Sequence, residues 1–328
     1  MNSFGRIFRT HIFGESHGPF VGVTIDGCPA GIPVSEADFA ADMQRRQGGN
    51  AAGTTPRKEA DAPQLISGVF NGFTTGAPLT ILFANGNTRS ADYEQQRAIP
   101  RPGHADFVAH KKFGGFADYR GGGHFSGRLT ACIVAAGVIA KKLLPGIAIE
   151  AKLIALGGES DIEKGLQQAL AVNDSAGGIV ECRAGNLPVG LGEPFWDSVE
   201  SLMAHAVFAI PAIKGIEFGA GFDAARMRGS AHNDAIADVS GRTKTNHAGG
   251  INGGLTNGNE LVFRVAVKPT SSTPQPQQSL NIATGLQEDF TVIGRHDLSI
   301  ALRVPVVVEA AAALVLADLI LIHKSPVL

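Results

Sequence analysis

The stretch ADYRGGGHFSGRLTA, residues 117–131, governs the reading of this chain. Three consecutive glycines, 121–123, stand between Arg120 and the pair His124 and Arg128. Glycine loses more conformational freedom on ordering than any other residue, so a run of it in a folded chain serves a special conformation or a close approach. From Ser126 onward, apolar positions recur at Leu129, Cys132, Ile133, Ala136, Ile139 and Leu143. That spacing predicts a helix with one buried face. Lys141 and Lys142 fall in its last turn, and Pro145 with Gly146 stops it. The glycines thus lead into a helix N-terminus. Bare N–H groups and the positive dipole end suit a phosphate or carboxylate there. Arg120 and Arg128 add forked donors, and Ser126 can cap the helix or donate to the anion. Neither GxxxxGK[ST] nor a GxGxxG after a strand is present, so a nucleotide triphosphate is not indicated.

Working outward, β-like runs bounded by Gly, Pro or Asn occur at 21–27, 78–85, 147–158 and 260–269. Helical patterns lie among them. SEADFAADMQRRQ, 35–47, opens with Ser35 as N-cap and Asp38 three residues on. A second, 195–210, has Asp197 or Ser198 as cap. The apolar run VPVVVEAAAALVLADLILIH, 304–323, approaches membrane length but carries Glu309 and Asp318. It reads as a buried helix opened by Pro305. KPTSSTPQPQQS, 268–279, reads as a loop. Strands and helices mix without strict alternation, which predicts an α+β fold rather than a doubly wound one.

Composition narrows the function. The chain has 328 residues, 44% of them hydrophobic, which supplies a sizeable core. With a formal net charge of −2 and 6% aromatic residues, no bulk electrostatic hold on nucleic acid or membrane is expected. The 42 glycines fall beside His, Arg, Ser and Asn without period, as in ordered loops near a ligand. Cys28, Cys132 and Cys182 form neither a CxxC pair nor a disulfide framework. The N-terminus lacks an apolar signal core, so a cytoplasmic chain is expected.

Further histidines sit in small-residue settings: His17 in GESHGP, His104 in RPGHADF, His247 in TNHAGGINGG and His296 in GRHDLS. Their scattered spacing gives no metal motif. Histidines that change charge near neutral pH, many guanidiniums and bare backbone donors suit a small polyanion that loses a proton and a phosphate. GESHG also matches a GxSxG nucleophile elbow at Gly14, Ser16 and Gly18, but no strand is evident before it, so a hydrolase is the lesser reading.

FGESHG, RPGHADF, DYRGGGHFSGRLTA, NHAGG, KPTSS and GRHD follow one another from end to end. In this the chain resembles the chorismate synthase family. The resemblance implies one domain over 1–328, a β-α sandwich with antiparallel strands and mixed helices around one large core, and a homotetramer. It implies the 1,4 anti elimination of phosphate from 5-enolpyruvylshikimate 3-phosphate, giving chorismate. Reduced FMN is required although nothing is oxidised or reduced overall. His17 resembles the family histidine at the reduced flavin, His104 the one near the leaving phosphate, and Asp297 the acid beside the flavin nitrogen. Ser16 and Ser126 would relay protons or hold substrate. Arg46, Arg120 and Arg128 would bind substrate anions. Flavin contacts would come from His124, Phe125, Ser126, Pro211, Ala212 and Gly253, from Lys268, Pro269, Thr270, Ser271 and Ser272, and from Arg295. Three departures stand out: His124 where many members carry arginine, no arginine near Ala52, and Leu298 after GRHD where proline is common. Altered affinity, or at the extreme a catalytically silent relative, would follow. Some members also oxidise NADPH to reduce their flavin. No separate nucleotide fingerprint is visible here, so an external flavin reductant is expected.

Overall fold

Alternating apolar side chains turn the strand-forming stretches into two antiparallel sheets. The computed structural model describes residues 2–49, 52–55, 59–86, 88, 97–292 and 296–324. The first sheet contains β1 (Ser3–Phe4), β2 (Arg9–Gly14), β3 (Phe20–Asp26), β4 (Gln64–Ser67) and β5 (Leu79–Ala84), in the order β1-β2-β3-β5-β4. Val21, Val23 and Ile25 face Phe83, Ile81 and Leu79 across β3 and β5. All six are buried, as the two-residue period of a one-sided sheet requires. The second sheet contains β6 (Ala148–Leu156), β7 (Gly178–Gly185), β8 (Ile213–Phe218) and β9 (Leu261–Val267), in the order β8-β9-β7-β6.

Four helices matter for the site: α1 (Ala40–Arg46), α2 (Thr130–Lys142), α3 (Val199–Phe208) and α4 (Pro305–Lys324). The helix α2 packs under the first sheet, α4 packs on the second, and the two lie against each other. The fold is therefore α+β, with helices enclosed between two antiparallel sheets. At the crossing, a Cβ on Gly137 would lie 2.4 Å from the Ala310 Cβ, so only glycine permits this approach. The expected single buried face of α2 is corrected here. Every residue from Thr130 to Ala140 is buried, because a sheet covers one side and α4 another. The apolar α4 is long enough to cross a membrane by length and composition, yet Val306 to Ile320 are buried inside the fold.

Local signals act as expected at several ends. Ser35 and Asp38 form a reciprocal capping box, the backbone N–H of Ser35 donating to Asp38 at 2.7 Å. Ser198, not Asp197, caps α3. The loop reading of 268–279 holds only to Pro276: Gln277–Leu280 is a strand paired with Gln287–Phe290.

Two carboxylates buried in α4 tie the layers together. Glu309 accepts both guanidinium nitrogens of Arg45 at 2.7 and 2.6 Å and the backbone N–H of Ala151 in β6 at 2.9 Å. Asp318 accepts the consecutive backbone N–H groups of Arg6, Ile7 and Phe8, each at 2.8 Å. A buried carboxylate persists only when it is satisfied in this way.

All three cysteines are buried. Burial pushes the Cys28 thiol up to about 11 and the Cys132 thiol up to about 12, and Cys182 is raised further. Because the thiolate is the nucleophile, none should react with a disulfide reagent at pH 8 in the native protein. All three should titrate in guanidinium. A thiol modified within minutes without denaturant would contradict the packing of α2 and β7.

Candidate active site

The end of α2 that carries the glycines opens on a cleft of about 680 Å³. That size is in the range of small-molecule sites. Its walls come from the N-terminal strands, the end of α1 with described residues between 47 and 61, the 101–105 loop, the glycine loop with the start of α2, α3 and the turn after it with the 268–272 loop, and the segment before α4 with α4 itself. Among the described residues, six cationic side chains line it, Arg46, Arg101, Arg128, Lys214, Lys268 and Arg303, against the carboxylates Glu59, Asp61 and Asp297. The cleft is thus basic in a chain whose formal charge is −2. Positive charge is concentrated where an anion could enter.

At its floor Asp61 is clamped between two guanidiniums. Arg46 pairs with one carboxylate oxygen and Arg128 with the other. All three side chains are buried. Burial alone would raise the Asp61 carboxyl, but the two arginines overcome it and hold it below the ordinary range. Asp61 also adopts φ 48°, a left-handed backbone that aspartate tolerates better than most residues. Arg128 reaches Asn85 Oδ1 with its Nε at 2.9 Å. Ser126 caps the first turn before α2, accepting from the Arg128 backbone N–H at 3.3 Å.

A second cluster surrounds His104. Its Nδ1 lies 2.5 Å from Asp106, and Arg101 reaches the same carboxylate through Nε at 2.7 Å and Nη2 at 2.8 Å. A carboxylate only accepts, which assigns the hydrogen to Nδ1 and leaves Nε2 as the exchangeable nitrogen. Burial would raise the Asp106 carboxyl, but hydrogen bonds from Arg101 and then His104 hold it well below the usual range. Arg101 also donates to Ser272 Oγ at 3.0 Å, which joins this cluster to the KPTSS loop.

On that loop Lys268 donates to Ser271 Oγ at 2.6 Å. Burial and then the neighbouring Lys214 charge push the Lys268 ammonium below its ordinary value. Asp297 is buried, with one oxygen on the Thr55 N–H at 2.9 Å and the other on Arg303 at 2.6 Å. Ala212 stands at φ 74°, a conformation alanine rarely adopts, on the wall of the cleft. Among the described residues, the buried Arg46 Nε and Thr270 Oγ1 have no hydrogen-bond partner. Two unmet polar atoms beside a basic cleft fit a ligand that bears anionic and hydroxyl groups.

Most residues expected from the sequence converge here. Arg46, His104, Ser126, Arg128 and Asp297 line the cleft. So do His124, Phe125, Pro211 and Ala212, together with Lys268, Thr270, Ser271 and Ser272. His17 and Ser16 are buried directly behind Gly121, which itself lines the cleft. Arg120 does not line it: its side chain folds back on Asp118, with Nε at 2.9 Å and Nη2 at 2.9 Å. Pro269 also stands outside the lining, and Gly253 sits in the turn of a hairpin, Ile251–Asn252 with Leu255–Thr256. Arg295 lies outside the described residues. His124 spends its ring nitrogens on the chain itself, Nδ1 on the Gly14 carbonyl at 2.8 Å and Nε2 on Asn2 Oδ1 at 3.2 Å.

The lesser hydrolase reading loses its footing for a reason other than the one expected. A strand, β2, does lead straight into GESHG. Yet β3 follows where an elbow needs a helix, and Ser16 Oγ is fully buried without a hydrogen-bond partner. Asp61, Arg101, Arg303 and Lys214 were not expected. Arg101 and Asp106 share the RPGHADF segment and could have been paired from it, whereas Asp61 and Arg303 carry no local signal.

Comparison with known proteins agrees with this arrangement. The family model for chorismate synthase matches residues 8–321. A chorismate synthase from Chitinophaga pinensis is 68% identical over 325 residues, covering 99% of this chain and 98% of that protein. One from Dehalococcoides mccartyi is 46% identical, covering 98% and 96%. A crystal structure of chorismate synthase superposes with a TM-score of 0.74 at 27% identity, covering 97% of this chain and 93% of the other. The chain belongs to the chorismate synthase family. It is a carbon–oxygen lyase of the shikimate pathway and so of aromatic amino acid biosynthesis. It eliminates phosphate from 5-enolpyruvylshikimate 3-phosphate to give chorismate.

Asp61→Asn would leave two buried guanidiniums facing each other. Unfolding at pH 7 should show a loss of about 3–5 kcal/mol, the usual cost of breaking a buried pair. Because the folded Asp61 carboxyl is lowered, its stabilisation is complete above roughly pH 4 and is lost as the pH falls through the folded value. The variant should therefore lose less stability than the parent as the pH falls below about 4. Equal stability at pH 7 would refute the clamp.

Proposed function

We propose that this cleft carries out the elimination with reduced FMN as its cofactor, within one domain spanning 1–328. The observation that carries the reading is the meeting, in one basic cleft, of the Arg46–Asp61–Arg128 clamp with the His104–Asp106–Arg101 cluster. The substrate bears a phosphate and two carboxylates. Arg46 pairs with Asp61 and keeps its Nε unmet, so a donor remains for a bound anion; Arg128 also spends Nε on Asn85 and Nη2 on the Ala84 carbonyl, which fixes the shared clamp. Their rigidity means that little reorganisation accompanies charge development as phosphate leaves.

His104 is the proton donor to the departing phosphate. Asp106 orients the ring through Nδ1, and Nε2 delivers the proton. His17 holds a proton on the other side of the glycine loop, with Ser16 beside it. The 268–272 loop suits the phosphate and ribityl ends of the cofactor: Lys268 supplies charge, Ser271 and Ser272 hydroxyls, and the unmet Thr270 Oγ1 a further polar atom. The chemistry supplied by the bound cofactor is transient electron donation to the substrate, returned within the turnover. Asp297, fixed by Thr55 and Arg303, would accept a hydrogen bond from a flavin nitrogen. Phe125 and the strained Ala212 would flank the ring system and exclude water. Arg120, Pro269 and Gly253 would take part only if substrate or a second subunit rearranges the mouth.

A homotetramer in the cytoplasm is the accompanying proposal. Phe195, Trp196 and Phe222 are more than four-fifths exposed, at 84%, 89% and 82%, which a lone chain rarely leaves in water. Reductant would come from outside the chain, with no nucleic acid or membrane partner.

The test is anaerobic release of phosphate and chorismate from 5-enolpyruvylshikimate 3-phosphate. Turnover is expected with chemically reduced FMN and not with oxidised FMN. His17→Ala and His104→Ala should each lower kcat by about 10²–10⁴, the usual range for a general acid or base. Folded protein that binds FMN but gives no product would identify a silent relative, in which His124 is spent on Gly14 and Asn2. In a separate assay, FMN and NADPH with the protein alone should leave NADPH unoxidised. Enzyme-dependent oxidation would overturn the need for an external reductant.

A further inference from the structure

We propose that Gly121 and Gly122 are positioning residues for the elimination, each forming the wall against which one of the two proton-moving histidines rests. The inference rests on the reading of His17 and His104 given above. Gly121 has φ 60° and Gly122 φ 79°, so two successive residues adopt the left-handed region. That bend threads the loop edgewise between the two rings. A Cβ on Gly121 would lie 2.5 Å from His17 Cδ2, 2.7 Å from His17 Nε2 and 2.9 Å from Ser16 Oγ. A Cβ on Gly122 would lie 3.0 Å from His104 Cε1 and 3.2 Å from His104 Nε2. Both glycines therefore touch the ring edge that carries Nε2, the nitrogen that exchanges the proton in His104.

The surroundings make this contact decisive. His104 is held by Asp106 at Nδ1 and by Arg101 Nη2 beside both ring nitrogens, at 3.0 and 3.3 Å, so pressure from Gly122 has no soft direction in which to relax. His17 and Ser16 are buried, and the Ser16 N–H donates to the Gly123 carbonyl at 3.1 Å, which locks the GESHG turn onto the same loop. The loop thus sets the separation of the two histidines. An anion-binding role for the glycine amides is not needed to explain them: the Gly122 N–H donates to the Tyr119 carbonyl at 3.2 Å.

Strain and positioning can be separated. Gly146 also has positive φ, 81°, but a Cβ there meets nothing within 4 Å. Gly146→Ala therefore reports backbone strain alone. The experiment measures kcat, KM and their pH profiles for Gly121→Ala with and without His17→Ala, for Gly122→Ala with and without His104→Ala, and for Gly146→Ala, with thermal unfolding of each. Gly121→Ala should lower kcat by about 10²-fold, the cost of a displacement near 1 Å, and Gly122→Ala, whose contacts ask for a shift of only a few tenths of an ångström, should lower it by less. The pH limb of the affected histidine should move, and neither glycine variant should cause further loss where its histidine is already alanine. Gly146→Ala should lose stability and keep its kcat and pH profile. Equal losses in the presence and absence of the histidine would overturn the proposal. Full activity of His17→Ala and His104→Ala would instead overturn the proton reading beneath it. Should Gly121→Ala not fold, Gly122→Ala, whose contacts are longer, decides the matter by the same criteria.

Discussion

The close crossing of α2 and α4 is the constraint on which the molecule depends. Each helix would be too apolar to stand in water, and neither sheet has a second layer without them. The missing side chain at Gly137 lets the Ala310 backbone approach, and the sheets then close over the pair from either side. Once α2 is fixed, so is its N-terminal end, and with it the glycine loop and Arg128. Once α4 is fixed, Arg303 just before it and Glu309 within it fall into place against α1 and β6. The cleft is thus assembled at the ends of buried helices, where backbone position is least negotiable.

Its electrostatics follow a second rule. Each buried cation in the cleft is tied to a carboxylate that does not fully neutralise its surroundings. Asp61 serves two arginines, Asp106 serves Arg101 and His104, and Asp297 serves Arg303. Such sharing holds long side chains in one geometry and still leaves a net positive site. An unpaired cluster of the same charges would be too costly to bury, and a fully paired one would have little left for an anion.

Much of this was legible from sequence where the signal was local. The capping box at Ser35, the strands with two-residue period and the end of α2 at Pro145 all depend on neighbours within a few residues. So does His104 with Asp106. What escaped was long-range. The ion pair of Asp61 and Arg128 joins positions 67 apart, and nothing around Asp61 hints at it. Arg120 was expected at the anion site because it adjoins the glycines, but Asp118, two residues away, captures it instead. The full burial of α2 was hidden because a helix between two layers keeps a periodic pattern while losing its exposed face. RTHIFG alternates polar and apolar residues too briefly to stand out as a strand before GESHG, although pairing with β3 secures it. The resemblance to a family named candidate residues, and the side-chain partners decide which of them face the cleft.

The carboxylate of Asp318 has a bearing on how the chain is made. It holds the backbone of residues 6–8 from a position more than 300 residues later, with |i−j| of 312 for Arg6. In chain order α4 follows every strand of both sheets. During synthesis the strands of both sheets are therefore made before the helix that covers the second sheet and before the carboxylate that fastens the first loop. Until α4 emerges, α2 can cover the first sheet but the apolar face of the second has no layer, and such exposed surface favours aggregation in nascent chains. Contacts of such long range also slow folding, since loop closure precedes any gain from packing.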